Sequence, residues 1–152
     1  MQRYIVPSFA AAATVIAVSV AFASGSDKPA SAAKTTHAES KTVSVEQVDN
    51  GPRGPSAGDL LVFRNQLTRA GKALGSLEVA CTFVKLEDDY ACHGTAFLPG
   101  GQLTLSGALS LDRPTNVLPI VGGTGRYRRV SGTVTARQTG DDTSVLTFNV
   151  SP

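Results

Sequence analysis

The sequence predicts an all-β domain behind an export signal, and three observations carry that prediction. From Thr42 onward the apolar residues recur at a period of two, and no amphipathic run of helical length survives. Clusters of Gly, Pro, Asn and Asp break the alternation roughly every eight to twelve residues, the spacing of short strands joined by turns. The composition agrees: 15 glycines and 8 prolines in 152 residues suit many turns without reaching a disordered usage. Short strands at this spacing build a sandwich or a barrel, and one-faced alternation fits both.

The chain opens on a different pattern. Arg3 precedes an uncharged run from Tyr4 to Ala23 that ends in Ala21-Phe22-Ala23, the small-x-small sequence accepted by signal peptidase. Residues 1–23 therefore read as a signal peptide cleaved after Ala23, and the protein as secreted and extracellular. The alternative is an uncleaved anchor, because about 20 apolar residues can cross a bilayer. Residues 24–41 are small, polar and low in complexity, so a flexible linker is expected there, with His37 solvated on it. The folded domain is expected over 42–152.

Each strand has its own warrant. Val43 and Val45 open the first, which the Asn50-Gly51-Pro52 turn cluster closes. The second puts Leu61, Phe63, Asn65 and Leu67 on one face and Arg64 and Gln66 on the other. The third aligns Leu77, Val79, Cys81 and Phe83, and the fourth runs from Tyr90 to Leu98. After Pro99-Gly100-Gly101, the fifth sets Leu103, Leu105, Leu109 and Leu111 against Thr104, Ser106 and Ser110. Val117–Val121, Gly132–Gln138 and Ser144–Val150 complete eight strands. That number is enough to close a small barrel and remove its exposed edges.

A hairpin centred between Leu86 and Glu87 places Cys81 opposite Cys92, Phe83 opposite Tyr90 and Val79 opposite Gly94, all on one face. In an exported protein this pairing points to a structural disulfide rather than to a free nucleophile or metal thiolate. Closing a loop of this size contributes about 3 kcal/mol in the chain-entropy treatment.

The residues exclude several function classes. Fourteen Lys and Arg against 12 Asp and Glu leave a net charge of +2, too little for a dedicated nucleic-acid binder. Two cysteines and two histidines make a four-ligand Cys/His zinc site only if all four converge, so no metal site is expected. The sequence has no nucleophile elbow, no paired-histidine zinc motif, no phosphate-binding P-loop and no EF-hand. His93 lies on the strand face opposite Cys92, an unsuitable place for a triad base. Gly122-Gly123-Thr124-Gly125 lacks the Lys-Ser/Thr of a phosphate cradle and reads as a turn that requires glycine. Arg126, Arg128 and Arg129 read as a solvated turn, and Asn149-Val150-Ser151 as a sequon hidden in a strand.

Two polar residues stand out. Asn65 shares its face with Leu61, Phe63 and Leu67, so its amide points into an apolar interior, either satisfied structurally or available to a ligand. Alternation with Val43 and Val45 sends Glu46 outward. Facing an apolar cavity instead, its pKa would rise and it would become a proton-transfer or charge-stabilising candidate.

Three stretches together resemble the allene oxide cyclase and dirigent proteins: Gly58-Asp59-Leu60-Leu61-Val62-Phe63-Arg64-Asn65-Gln66-Leu67, Gly101-Gln102-Leu103-Thr104-Leu105-Ser106-Gly107, and Ile120-Val121-Gly122-Gly123-Thr124-Gly125-Arg126-Tyr127 with Gly132-Thr133-Val134. The resemblance runs from about Glu46 to Gln138, and the glycine-rich third stretch is its most specific part. It implies an eight-stranded antiparallel β-barrel. Plant allene oxide cyclases close a cyclopentenone ring from a fatty-acid epoxide without a cofactor, using a first-strand glutamate and a polar cluster that holds a water. Glu46 matches that glutamate, Asn65 an asparagine of the cluster, and Cys81 a cavity cysteine. Val48 and Leu109 replace an asparagine and a tyrosine of the family, so the water cluster is incomplete in this chain. Dirigent proteins steer radical coupling through cavity shape.

The expected function is that of a secreted barrel that binds a small apolar molecule, lipid-, phenolic- or polyketide-like, and steers its cyclisation or coupling without a cofactor. Catalytic candidates are Glu46 and Asn65, and cavity candidates are Leu61, Phe63 and Leu105. The alternative is a non-catalytic carrier or cell-surface module. A homo-oligomer is compatible with either, since plant family members are often trimers.

Overall fold

The computed structural model describes residues 33–85 and 89–152. The signal peptide expected over 1–23 lies outside them, as does the first half of the expected linker, 24–32. Eight strands, β1 (Lys34–Val48), β2 (Leu60–Arg69), β3 (Lys72–Lys85), β4 (Asp89–Leu98), β5 (Gly101–Ser110), β6 (Thr115–Gly123), β7 (Ser131–Gln138) and β8 (Thr143–Ser151), follow one another up and down and close as an antiparallel barrel. Of the two architectures left open by alternation, the chain adopts the barrel. One 3-10 turn, Gly125–Tyr127, interrupts the β6–β7 connection.

Local chemistry sets the tight turns. Ala70 and Gly71, with φ of 50° and 72°, form a two-residue hairpin loop whose left-handed backbone conformation gives the turn the right-handed twist of the strands it joins. Pro99 and Gly100 (φ 90°) turn β4 into β5, the proline fixing the first position and the glycine allowing the second. At the same end the Gly-Gly-Thr-Gly segment lies against that turn. A Cβ on Gly125 would fall 2.1 Å from the Gly100 carbonyl oxygen, so two backbones meet here with no room for a side chain. The segment is the glycine-dependent turn the sequence predicts, and it also packs backbone against backbone.

The strand limits require one correction. The boundary expected at Thr42 falls inside β1, which begins at Lys34 and pairs with β8 from Lys34↔Val150 to Lys41↔Thr143. Small polar residues form a strand here because the ladder is made by backbone groups. Ala38 and Ser40, 2% and 5% exposed, turn inward beside Leu146 and Ser144, where small side chains fit the closing seam. His37, expected on a solvated tether, is exposed on β1 with Nδ1 3.1 Å from the Thr147 hydroxyl.

The third and fourth strands keep the expected register, with Cys81 opposite Cys92, Phe83 opposite Tyr90 and Val79 opposite Gly94. The Cys81–Cys92 disulfide is present, inside the barrel, with both residues almost fully buried. The Phe83 and Tyr90 rings pack against each other beside it, tilted by 51° with centroids 5.3 Å apart.

The interior is filled at one end and open at the other. Leu67, Leu103 and Phe148 lie three residues from the β2–β3 turn, the β4–β5 turn and the end of β8, and each is at most 1% exposed. Together with Ala96 and Ile120 they plug that end with apolar side chains. Toward the opposite end, where β1–β2, β5–β6 and β7–β8 are joined, polar side chains join the apolar ones that face the interior.

Candidate functional site

The open end holds a cavity of about 310 Å3, within the size range of small-molecule sites. Its apolar wall is built from Phe63, Leu77, Val79, Leu105, Leu118 and Leu146, inward residues of five different strands. Period-two alternation puts them there, one face of each strand turning to a common axis. Of the expected cavity residues, Phe63 and Leu105 line it. Leu61 packs against the core two residues above Phe63 and is not part of the wall.

A neutral polar strip crosses one side of this wall. Thr42 donates its hydroxyl proton to Asn65 Oδ1 at 2.8 Å, and Asn65 Nδ2 donates to the Leu77 carbonyl oxygen at 3.3 Å. The amide is thus held in orientation by two strands while one of its two N–H donors is still unused. Ser40 and Ser144, opposite each other in the β1–β8 ladder, continue the strip.

Asn116 stands on the other side, at the mouth. It accepts from the Ser110 N–H at 3.0 Å and donates to the Ser110 and Arg113 carbonyls at 2.9 and 3.3 Å. Its position explains why Ser110 is 7% exposed although alternation sends it outward: the strand ends there, and the Asn116 amide draws its backbone over the opening. Leu111, expected inside, is 48% exposed at the lip.

Among the described lining residues, the ionisable side chains are Arg113, Asp141 and Asp142. All three are exposed on rim loops, and Asp142 faces Lys41 at 3.9 Å. Among the described residues no group of three or more His, Cys, Asp or Glu side chains could hold a metal ion.

Glu46 is not part of this cavity. A β-bulge at Val43 separates Thr42↔Asn65 from Ser44↔Arg64, and Glu46 then lies opposite Val62, exposed to solvent. Because β8 begins opposite Lys41, β1 beyond Thr42 has β2 as its one neighbouring strand, so Glu46 rises clear of the closed wall. The structure therefore brings Asn65, Phe63 and Leu105 together and leaves Glu46 and Leu61 apart from them. His93 points outward to Ser106 at 3.1 Å, away from the cavity.

Among the described residues, the one carboxylate with a shifted acidity is structural. Buried Asp59 accepts from the Ser56 N–H at 2.8 Å and the Asn50 N–H at 3.1 Å. The Ser56 and then the Asn50 backbone donors hold its pKa below 3.8, against the opposing effect of burial, with help from the Ser56 hydroxyl. It fastens the β1–β2 loop, which Gly58 and Asp59 tie in turn to Phe83 of β3.

The family profile of the allene oxide cyclase barrel like domain matches residues 39–150. The chain belongs to this family. Among solved structures, its barrel is similar to a protein described as pyocyanin demethylase, with a TM-score of 0.70 at 23% identity over 77% of this chain and 99% of that one. It is also similar to a pterocarpan synthase dirigent protein, with a TM-score of 0.64 at 19% identity over 80% and 94% of the two chains. A third is the Diels Alderase AbmU from Streptomyces koyangensis, with a TM-score of 0.63 at 16% identity, covering 78% of this chain and 63% of that one. At these identities the likeness is one of fold. A search of curated proteins returns no match. The expected allene oxide cyclase- and dirigent-type barrel is thus the fold of this chain.

Proposed function

We propose that this chain is an exported barrel that takes a small, largely apolar molecule into its open end and steers that molecule's cyclisation or coupling by shape. One observation carries the reading: a cavity of about 310 Å3, apolar on most of its wall, in a barrel whose other end is plugged. Ligand sites of this kind have apolar walls with a few oriented polar groups. The chain's barrel relatives support the reaction class, since they include a pterocarpan synthase dirigent protein and a Diels Alderase.

The proposed chemistry follows from what the cavity offers. Phe63, Leu105 and Leu118 restrict how a flexible guest folds, and holding two reacting ends together can by itself supply several kcal/mol of a barrier, about 7 or more in the best cases. The free N–H of Asn65 is placed to donate to a guest oxygen, orienting the molecule or stabilising negative charge that develops there. Glu46 has no role in this reading, because it stands outside the wall.

The test is mass spectrometry of the protein purified from its native host. The wild type should carry an organic molecule that Phe63→Asp loses. Incubated with the molecule's open-chain precursor, the wild type should convert it, and Asn65→Leu should convert it more slowly while still binding. Recovery of a molecule that is bound and never converted would replace the steering role with a carrier role. An empty barrel that also excludes apolar dyes would overturn the reading. Export is tested on the same material, whose first residue should be Ser24.

A further inference from the structure

The plugged end of the barrel carries a charge that the net value of the chain conceals. Because the strands run up and down, the start of β1, the β2–β3, β4–β5 and β6–β7 connections and the end of β8 all meet there. Exposed cations stand at these strand ends and turns: Lys34, Arg69, Lys72, Arg126, Arg128 and Arg129. Among the described residues of the same ends and turns there is no Asp or Glu. The nearest acidic side chain along β1 is Glu39, which accepts from the Thr68 hydroxyl at 3.1 Å. Among the described residues the salt bridge is Lys41–Asp142, so none of these cations is neutralised by a carboxylate.

The open end is the reverse. Its described connections hold Asp49, Asp59, Asp112, Asp141 and Asp142 against Arg53 and Arg113. The barrel is thus polarised along its axis, with the cavity mouth at the negative pole, and a net charge of +2 averages over both.

Part of the basic end is fixed in place. A Cβ on Gly100 would lie 2.7 Å from Arg126 Cδ, so the glycine leaves room for that side chain across the β4–β5 turn. The Arg126 guanidinium donates to the Tyr127 hydroxyl at 2.8 Å and stands 5.0 Å from the centroid of that ring. Phe97 and Val121, 38% and 58% exposed, lie one and two residues from the ends of β4 and β6 and border the charged face with apolar groups. The chain also enters here. Residues 24–33 separate Lys34 from the apolar run that ends at Ala23, a reach of at most about 35 Å. The segment read as membrane-directed therefore joins the barrel at its basic end, whether it is cleaved or kept.

We propose that the plugged end docks on an anionic lipid bilayer, with the cavity mouth facing away from it. Clusters of about four to eight Lys and Arg are drawn to such a surface by its negative potential, each charge adding to the attraction. Exposed apolar groups beside the cations suit the boundary between headgroups and acyl chains. The cations are spread over several turns at the end of the barrel rather than along a groove, which suits a surface better than a strand of nucleic acid. The face is remote from the cavity, so docking leaves ligand entry open and does not depend on the ligand.

The experiment is co-sedimentation of the purified protein with vesicles of phosphatidylcholine alone or mixed equally with phosphatidylglycerol. The protein should sediment with the anionic vesicles at low salt, leave them at high salt and ignore the neutral ones. Arg126→Gln/Arg128→Gln/Arg129→Gln should weaken binding by about 100-fold, roughly fivefold for each charge. Lys34→Gln/Arg69→Gln/Lys72→Gln, on other elements, should do the same, so the result does not hang on one turn. Arg53→Gln/Arg64→Gln/Arg137→Gln removes as much charge from elsewhere on the barrel and should change binding by less than about threefold. Unchanged melting temperatures confirm that the variants fold. Absence of binding to anionic vesicles, with or without binding to duplex DNA, equal binding to neutral vesicles, or a loss as large in the last variant as in the first two would each overturn the assignment.

Discussion

Replacing Asn116 with alanine tests how this barrel is closed at its mouth. Along most of its circumference the wall is held by long ladders; β4 and β5 pair without a break from Asp89↔Ser110 to Leu98↔Gly101. Between β5 and β6 the pairing is confined to Leu103–Leu105 against Ile120–Gly123, with a register shift inside it. Beyond that point Pro119 brings no N–H, and the Asn116 side chain provides the two bonds to Ser110. Alanine would strand one N–H and one C=O of a residue that is 7% exposed. An unmet buried group costs about 1–3 kcal/mol, and the seam lies beside the opening where water can partly compensate, so the expected loss is about 2–3 kcal/mol in total. For a domain of this size that lowers the melting temperature by about 10 °C. Urea denaturation gives the free energy, and hydrogen exchange locates it: amides of 106–110 and 115–118 should lose protection while β2 and β3 keep theirs. The exposed Thr35–Asn149 bond provides the control, since Thr35→Ala should cost less than about 0.5 kcal/mol. An Asn116→Ala protein with stability and seam exchange like the wild type would refute the reasoning, because the seam would then be held by something other than this side chain.

Two further predictions follow from covalent and ionic ties. Cys81→Ala/Cys92→Ala opens a loop of sequence separation 11, worth about 3 kcal/mol in the unfolded chain, and removes two buried sulfurs; a drop in urea midpoint equivalent to less than about 1 kcal/mol would show that the β3–β4 ladder makes the bond redundant. Asp59 has its pKa lowered by folding, so its contribution is fully present above its ordinary value of 3.8 and is lost as pH falls through the lower, folded value. Asp59→Asn should therefore be less stable than wild type at neutral pH, and the gap should narrow in acid; a gap that stays constant with pH would remove the ionised carboxylate from the account.

The fold was legible because its signals were repetitive. Eight alternating segments and their turns specify strands, and the Cys81–Cys92 alignment specifies one hairpin register that the structure reproduces. The closing strand pair was harder to read. The first half of β1 is Lys34-Thr35-Thr36-His37-Ala38-Glu39-Ser40-Lys41, whose only inward signal is a period-two series of small residues, Thr36, Ala38 and Ser40. A hydrophobicity pattern cannot register a strand whose buried face is alanine and serine, although the backbone ladder to β8 forms regardless. Within the site, Asn65, Phe63 and Leu105 were visible as inward positions of well-patterned strands. Asn116 and Ser110 were not, because they act at strand ends, where side-chain capture of a backbone replaces alternation as the organising force.

The displacement of Glu46 has a consequence for chemistry. The family resemblance places a charge-stabilising glutamate on the first strand, yet here the bulge at Val43 and the short β8 leave that carboxylate in water. A solvated carboxylate acts on a guest only through a high-dielectric screen, so it contributes little to a barrier inside the cavity. What the interior retains is neutral: the hydroxyls of Ser40, Thr42 and Ser144 and the oriented amide of Asn65. Such dipoles can stabilise a developing partial charge without moving a proton. Reactions suited to this interior are therefore those whose bonds form through the guest's own electrons once its ends are brought together, as in a pericyclic closure or the coupling of two radicals. Among the described lining residues the ionisable groups, Arg113, Asp141 and Asp142, stand on the exposed rim, so a reaction that needs an acid or a base in its slow step would have to draw on that rim.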